Sequence, residues 1–179
     1  MKPYLLVLHN KIKLSFLKVL YKGLILNGIQ FFSRNSKFIF SKKSSIVLGD
    51  RIINDGRIVV IVLDNAKLRI GDGVYFNEDA MISCHEKIII GNGCQFGPNV
   101  KIFDNNHCFD SKNGVTCNYK SSPIEIGEHC WIGANVVILK DTIIGKNTVI
   151  GAGCVLSGII PECSIVTQGR DLHIEKMRK

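Results

Sequence analysis

The stretch from residue 126 to 156, IGEHCWIGANVVILKDTIIGKNTVIGAGCVL, repeats itself every six residues. Ile126, Ile132, Ile138, Ile144, Ile150 and Leu156 are evenly spaced, and glycine follows four of them, at 127, 133, 145 and 151. An α-helix turning every ~3.6 residues would scatter these aliphatic residues around its circumference. A strand's two-residue alternation gives no reason for glycine after each branched residue. The spacing predicts a coil of three short flat faces, with the aliphatic residue turned inward near each corner. Such coils must stack, at roughly 18 residues per triangular turn, because one coil buries its apolar side only against the next. The fold class is therefore all-β, a parallel β-helix of triangular section.

The same register holds upstream at Ile70-Gly71, Phe76, Ile82, Ile90-Gly91, Phe96-Gly97 and Ile102, while residues 44–70 carry it in degenerate form. Ile82 and Ile90 are eight residues apart, which predicts a bulge or small loop at SCHEK. Between Ile102 and Ile126 the period breaks, predicting one extended loop over 103–125. The domain reading is a basic amphipathic helical segment at 1–43, a β-helix over 44–169 with that loop, and a short tail at 170–179.

At 179 residues the chain suits a single domain, and 46% apolar with 21% charged residues argues against disorder. The seven cysteines are odd in number, and Cys94, Cys130 and Cys154 occupy the small-residue slot of a hexad. They read as reduced residues of a cytoplasmic protein, and no His/Cys cluster is dense enough to predict a metal. The net charge of +8 is concentrated in residues 1–43, which hold nine Lys or Arg and no Asp or Glu. Lysines at 11, 13, 18 and 22 interrupt the apolar run there, which reads against a transmembrane span, and no small-residue cleavage site follows a short clean apolar core, which reads against a secretory signal. Two compatible readings remain for this segment: a helix packed on the solenoid or a neighbouring subunit, and peripheral contact of residues 1–30 with the anionic inner face of a membrane. Nucleic acid is not expected as a partner, since no basic and aromatic platform accompanies the charge.

A regular scaffold that throws out one polar loop usually carries function there. The loop opens with Asp104-Asn105-Asn106-His107. An imidazole can take a proton from a hydroxyl at neutral pH if a neighbour fixes its tautomer, and Asp104, Asp110 or a backbone carbonyl are candidates for that neighbour. His85, in the short bulge, is a candidate for the rim of the same site.

The phrases IGNGCQFGPNVKI at 90–102, DNNH at 104–107 and PIEIGEHCWIGANVVILKDTIIGKNTVIGAGCVL at 123–156 resemble the left-handed β-helix acyltransferases built on hexapeptide repeats. Within them they resemble the sugar O-acetyltransferases, including the maltose and galactoside enzymes and those that decorate capsular and lipopolysaccharide sugars. The likeness covers about 70–165. It implies a left-handed solenoid and a homotrimer with active sites between subunits. It also implies acetyl-CoA as cosubstrate with no metal, and a sugar or glycan acceptor in cell-surface polysaccharide biosynthesis. His107 corresponds to the general base and Trp131 to the tryptophan lining the acceptor or thioester region. The Ala134 amide corresponds to the oxyanion donor, and Asn77 to an acceptor-holding asparagine. Where the family has a carboxylate, this chain has His85, with Glu86 beside it. Pantetheine would run near Gly151, Ala152 and Gly153, with Lys140, Lys146, Arg170 or a neighbouring subunit's lysine toward the phosphates. A phrase that often closes over the cofactor in relatives is replaced here by Thr167-Gln168-Gly169-Arg170.

The fold also supports other chemistry. An N-acetyltransferase acting on a nucleotide-linked amino sugar could use the same histidine. A non-enzymatic scaffold is a further alternative. His85, His107 and His129 stand 22 residues apart, and a metal-dependent anhydrase needs three well-spaced histidines, but their flanking residues do not match.

Overall fold

The computed structural model describes residues 3–169, with helix side chains defined from Leu8 onward. Apart from one helix and one hairpin, the strands pair in parallel, and their register defines the three faces of a triangular left-handed β-solenoid. Face A stacks Leu24–Leu26, Ser45–Leu48, Lys67–Ile70, Lys87–Ile90, Ile124–Ile126 and the second half of Val137–Ile144. Face B stacks Ile53–Asn54, Tyr75–Phe76, Gln95–Phe96, Trp131–Ile132, Val149–Ile150 and Ile165–Val166. Face C stacks Lys37–Phe40, Ile58–Val62, Ala80–Cys84, Lys101–Phe103, the first half of Val137–Ile144 and the start of Val155–Ile160. The chain runs from A to B to C in each coil.

Ile126, Ile132, Ile138, Ile144, Ile150 and Leu156 are all buried along the axis. Cys94, Cys130 and Cys154 are buried as well, each two residues before an inward apolar residue, in the slot that Val74 and Val136 fill in neighbouring coils. Between faces the backbone turns through the left-handed region, and the sequence supplies residues that tolerate it. Asp79, Asn99 and Asn135 do so at the corner between B and C, and Asn65 and Asp141 at the corner between C and A. Close stacking demands glycine where coils touch backbone to backbone. A Cβ on Gly133 would lie 2.7 Å from the Ala152 nitrogen and 2.9 Å from the Ile150 carbonyl oxygen.

The helix occupies only Pro3–Leu20 of the segment expected to be helical to residue 43, and the solenoid starts at Leu24 rather than 44. Leu24, Ile25 and Leu26 pair in register with Ile46, Val47 and Leu48, so the first coil is complete before the recognisable repeat begins. The helix closes the open end of that coil. Leu14 is buried, Asn10 donates to the Phe32 carbonyl at 2.9 Å, and Lys13 donates to the Ser36 carbonyl at 2.7 Å. A solenoid needs such a cap, because its terminal coil has no neighbour on one side. The loop expected over 103–125 is an antiparallel hairpin of Asn105–Asp110 and Gly114–Ser121, leaving the corner between C and A.

Candidate active site

The hairpin leaves the solenoid immediately after Asp104, whose carboxylate is fully buried. One oxygen accepts from the His85 N–H at 2.7 Å and the other from the N–H groups of Glu86 and Lys87 at 2.8 and 2.9 Å. The eight-residue step between Ile82 and Ile90 is thus a turn capped by a carboxylate from the next coil. Asn105 adds a bond from its amide to the same carboxylate and another to the Ser83 carbonyl, tying the base of the hairpin to that turn.

His107 is exposed on the first strand of the hairpin, and its Nδ1 lies 3.3 Å from the Thr116 carbonyl oxygen. A carbonyl only accepts, so this bond requires the proton on Nδ1 and leaves the Nε2 lone pair free to act as a base. The partner is therefore the backbone carbonyl among the three candidates. Asp104 points into the 85–87 turn. Asp110 caps the hairpin's own turn, accepting from the N–H groups of Lys112 and Asn113 at 2.9 and 2.7 Å, and the Asn113 bonds hold its carboxyl below the usual carboxylate range. The hairpin's register slips between His107 and Phe109, and this irregularity brings the Thr116 carbonyl alongside the imidazole.

His107 pairs across the hairpin with Tyr119, a residue that no sequence pattern singles out. The Tyr119 ring lies 4.4 Å from the His107 ring and 4.7 Å from the His85 ring, centroid to centroid. The structure thus gathers His85, His107 and Tyr119 at one corner, with Glu86 beside them in the same turn. Burial lowers the His85 pKa below the ordinary histidine value; the Asp104 charge opposes that shift and His107 adds to it. A shallow groove of about 410 Å³ lined by Asn106, Leu139, Lys140, Asp141, Ser157 and Gly158 runs along this corner.

The remaining candidates collect elsewhere. Trp131 lies on face B, 59% exposed, between Gln95 and Val149 of the adjacent coils. Asn77, Gly133 and Gly151 each begin the turn from B to C, donating to the strand of the next coil, and Ala134, Ala152 and Gly153 follow in the same corner. The Ala134 carbonyl accepts from the Gly153 N–H at 2.8 Å, while its own N–H donates to no group among the described residues. Lys146 sits on the third corner, between A and B, 3.5 Å from Glu162 in an exposed ion pair. His129 is on that corner too, so the equal spacing of the three histidines does not become a cluster. Among the described residues no three His, Cys, Asp or Glu side chains are grouped to hold a metal. Arg170 and the tail at 170–179 lie outside the described residues.

The candidates therefore form two main groups. His85, Glu86, Asp104, His107 and Tyr119 occupy the corner between C and A. Asn77, Trp131, Ala134, Gly151, Ala152 and Gly153 occupy face B and its following edge. In a triangular prism face B is the face opposite that first corner.

The bacterial transferase hexapeptide (six repeats) family model matches residues 123–158. A galactoside O-acetyltransferase of Lactococcus lactis is 37% identical over 109 residues, covering 59% of this chain and 51% of the relative. A protein of Escherichia coli named as a lipopolysaccharide biosynthesis O-acetyl transferase is 28% identical over 159 residues, covering 83% and 77%. At the higher identity the chain spans about half the length of the relative. Among solved structures, the N-acyltransferase AntD of Bacillus cereus, in complex with dTDP-4-amino-4,6-dideoxyglucose and coenzyme A, covers 92% of this chain and 89% of its own with a TM-score of 0.66. Its 13% identity makes that a likeness of fold.

Proposed function

The chain is a hexapeptide-repeat left-handed β-helix protein related to the sugar O-acetyltransferases, and from that premise we propose that it transfers an acetyl group from acetyl-CoA to a sugar hydroxyl. The observation that carries the reading is the His107 imidazole, held through Nδ1 by the Thr116 carbonyl with Nε2 open to an acceptor. Nε2 removes the hydroxyl proton as the oxygen attacks the thioester carbonyl carbon; the C–S bond breaks and the thiolate of coenzyme A leaves, taking up the proton. The Ala134 N–H stabilises the charge on the tetrahedral oxygen. Trp131 walls the thioester, Asn77, His85 and Glu86 hold the acceptor, and the small residues Gly151, Ala152 and Gly153 admit the pantetheine arm. Lys146 answers the phosphates, its exposed pair with Glu162 being weak enough to exchange. Tyr119 packs against the base and orients it.

The two groups lie on opposite sides of one prism, so a working site combines the His107 corner of one chain with the Trp131 face of another. Three chains in a ring would form three such sites. The exposed hairpin end, where Phe109 pairs with Val115, supports that docking. The setting is the cytoplasm, where acetyl-CoA is at hand, and the product is a decorated sugar of cell-surface polysaccharide biosynthesis. The test is acetyl-CoA turnover against a panel of sugars and nucleotide-linked amino sugars, repeated with His107→Ala. Turnover with a hydroxyl acceptor, reduced about 10²- to 10⁴-fold in the variant, is the expected result. Turnover only with amines makes the enzyme an N-acetyltransferase. Full activity of His107→Ala, or no turnover with any acceptor, refutes the proposal.

A further inference from the structure

One helix face packs on the solenoid and the opposite face packs on nothing among the described residues. Leu14 is buried and Leu17 and Tyr21 lean on the core. Opposite them, Leu8, Ile12, Phe16, Val19 and Leu20 recur at helical spacing and are exposed, Ile12 and Phe16 at 64% each and Val19 at 79%. Lys11 and Lys18 flank this stripe and Lys22 follows its end, all three exposed. On the other flank Lys13 is turned back to the Ser36 carbonyl and lies 5.1 Å from the Phe38 ring.

We propose that this face is a membrane-surface site, in which the helix lies in the plane of an anionic bilayer with Leu8, Ile12, Phe16, Val19 and Leu20 among the acyl chains and Lys11, Lys18 and Lys22 on the phosphates. Charge chooses the occupant. Residues 1–43 contain nine basic and no acidic residues, so a second helix docked face to face would set lysine against lysine. An anionic lipid surface supplies the complementary charge to each. Geometry limits the depth: the inner face is held by the solenoid, leaving about half of a ~10–12 Å helix to enter, which matches the ~5–10 Å over which interfacial helices insert. No helix among the described residues is long and apolar enough to cross a membrane, so this one rests on the surface. The proposal stands on the helix alone, independently of the acetyl transfer.

The test is co-sedimentation of the full chain with vesicles of phosphatidylglycerol and phosphatidylcholine, and with vesicles of phosphatidylcholine alone, at low and high salt. Binding to the anionic vesicles, weakened by salt and reduced about tenfold or more in Ile12→Glu/Phe16→Glu, is expected. The triple variant Lys11→Gln/Lys18→Gln/Lys22→Gln should lose the preference for anionic lipid while keeping the helical signal of the parent. Absence of vesicle binding, or binding indifferent to both variants, overturns the proposal. So does a fall in oligomeric mass in Ile12→Glu/Phe16→Glu, which would make the stripe a contact between copies.

Discussion

Asp104 and His107 are three residues apart and hold different parts of the site. The Asp104 carboxylate takes three backbone N–H bonds from the turn that carries His85, so its charge serves the scaffold under the site. Asp104→Asn replaces one accepting oxygen with a donor facing N–H groups. It should lower unfolding free energy by about 1.5–3 kcal/mol, the cost of losing charge-assisted bonds at a buried position. Denaturant unfolding measures this. A variant of unchanged stability with much reduced turnover would instead make Asp104 the group that orients the base. At this scale His107 was legible because a polar phrase follows the last regular corner of a coil. Its true partner was not, because Thr116 reaches it only through a slipped hairpin register, and Asp104 finds its partners one coil away. Tyr119 was hidden for the same reason, since hairpin pairing and not periodicity brings it between two histidines.

The stretch from Ile126 to Leu156 could be read directly, because the hexad is strict there and Ile124 stacks on Thr142 after 18 residues, before the last coil shortens to steps of 16. The first coils could not. Leu24, Ile46 and Leu68 stack at steps of 22, and Ile88 follows after 20, so the extra residues break the six-residue spacing while leaving the inward alternation intact. Strands of four or five residues on face C, such as Ile58–Val62, account for part of the added length, and aromatic residues fill the wider section. Phe32 and Phe38 meet edge to face at 5.0 Å, beneath the capping helix. Where the hexad is strict, coils approach closely enough that a Cβ at Gly127, Gly133 or Gly145 would meet the backbone of the next coil at 2.3–2.7 Å. Gly133→Val puts a branched side chain against the Ala152 nitrogen, and is expected to destabilise the chain by roughly 1–3 kcal/mol or prevent folding. Thermal unfolding checks this; a variant as stable as its parent would mean that the coils are not packed as tightly as the glycine column implies.

For the molecule as a whole, the uneven charge and the uneven distribution of candidate residues point outward. Basic residues and the apolar stripe mark the N-terminal end as a surface for something else. Under the proposed function, the separation of the His107 corner from the Trp131 face leaves one chain with only part of a site. That separation could not be read from the sequence, where DNNH and WIGAN stand close together. It follows from the triangular path, which turns the chain to a different face every few residues. The most direct measurement mixes two inactive chains. His107→Ala removes the base from one corner, and Ala152→Trp blocks the exposed edge after face B, so each alone should be inactive. Co-assembled at equal amounts, they should regain activity, with about a quarter of the sites formed from two unaltered halves in a ring of head-to-tail contacts. A mixture no more active than its parents, or a His107→Ala chain fully active alone, would contradict a site shared between chains with His107 as its base.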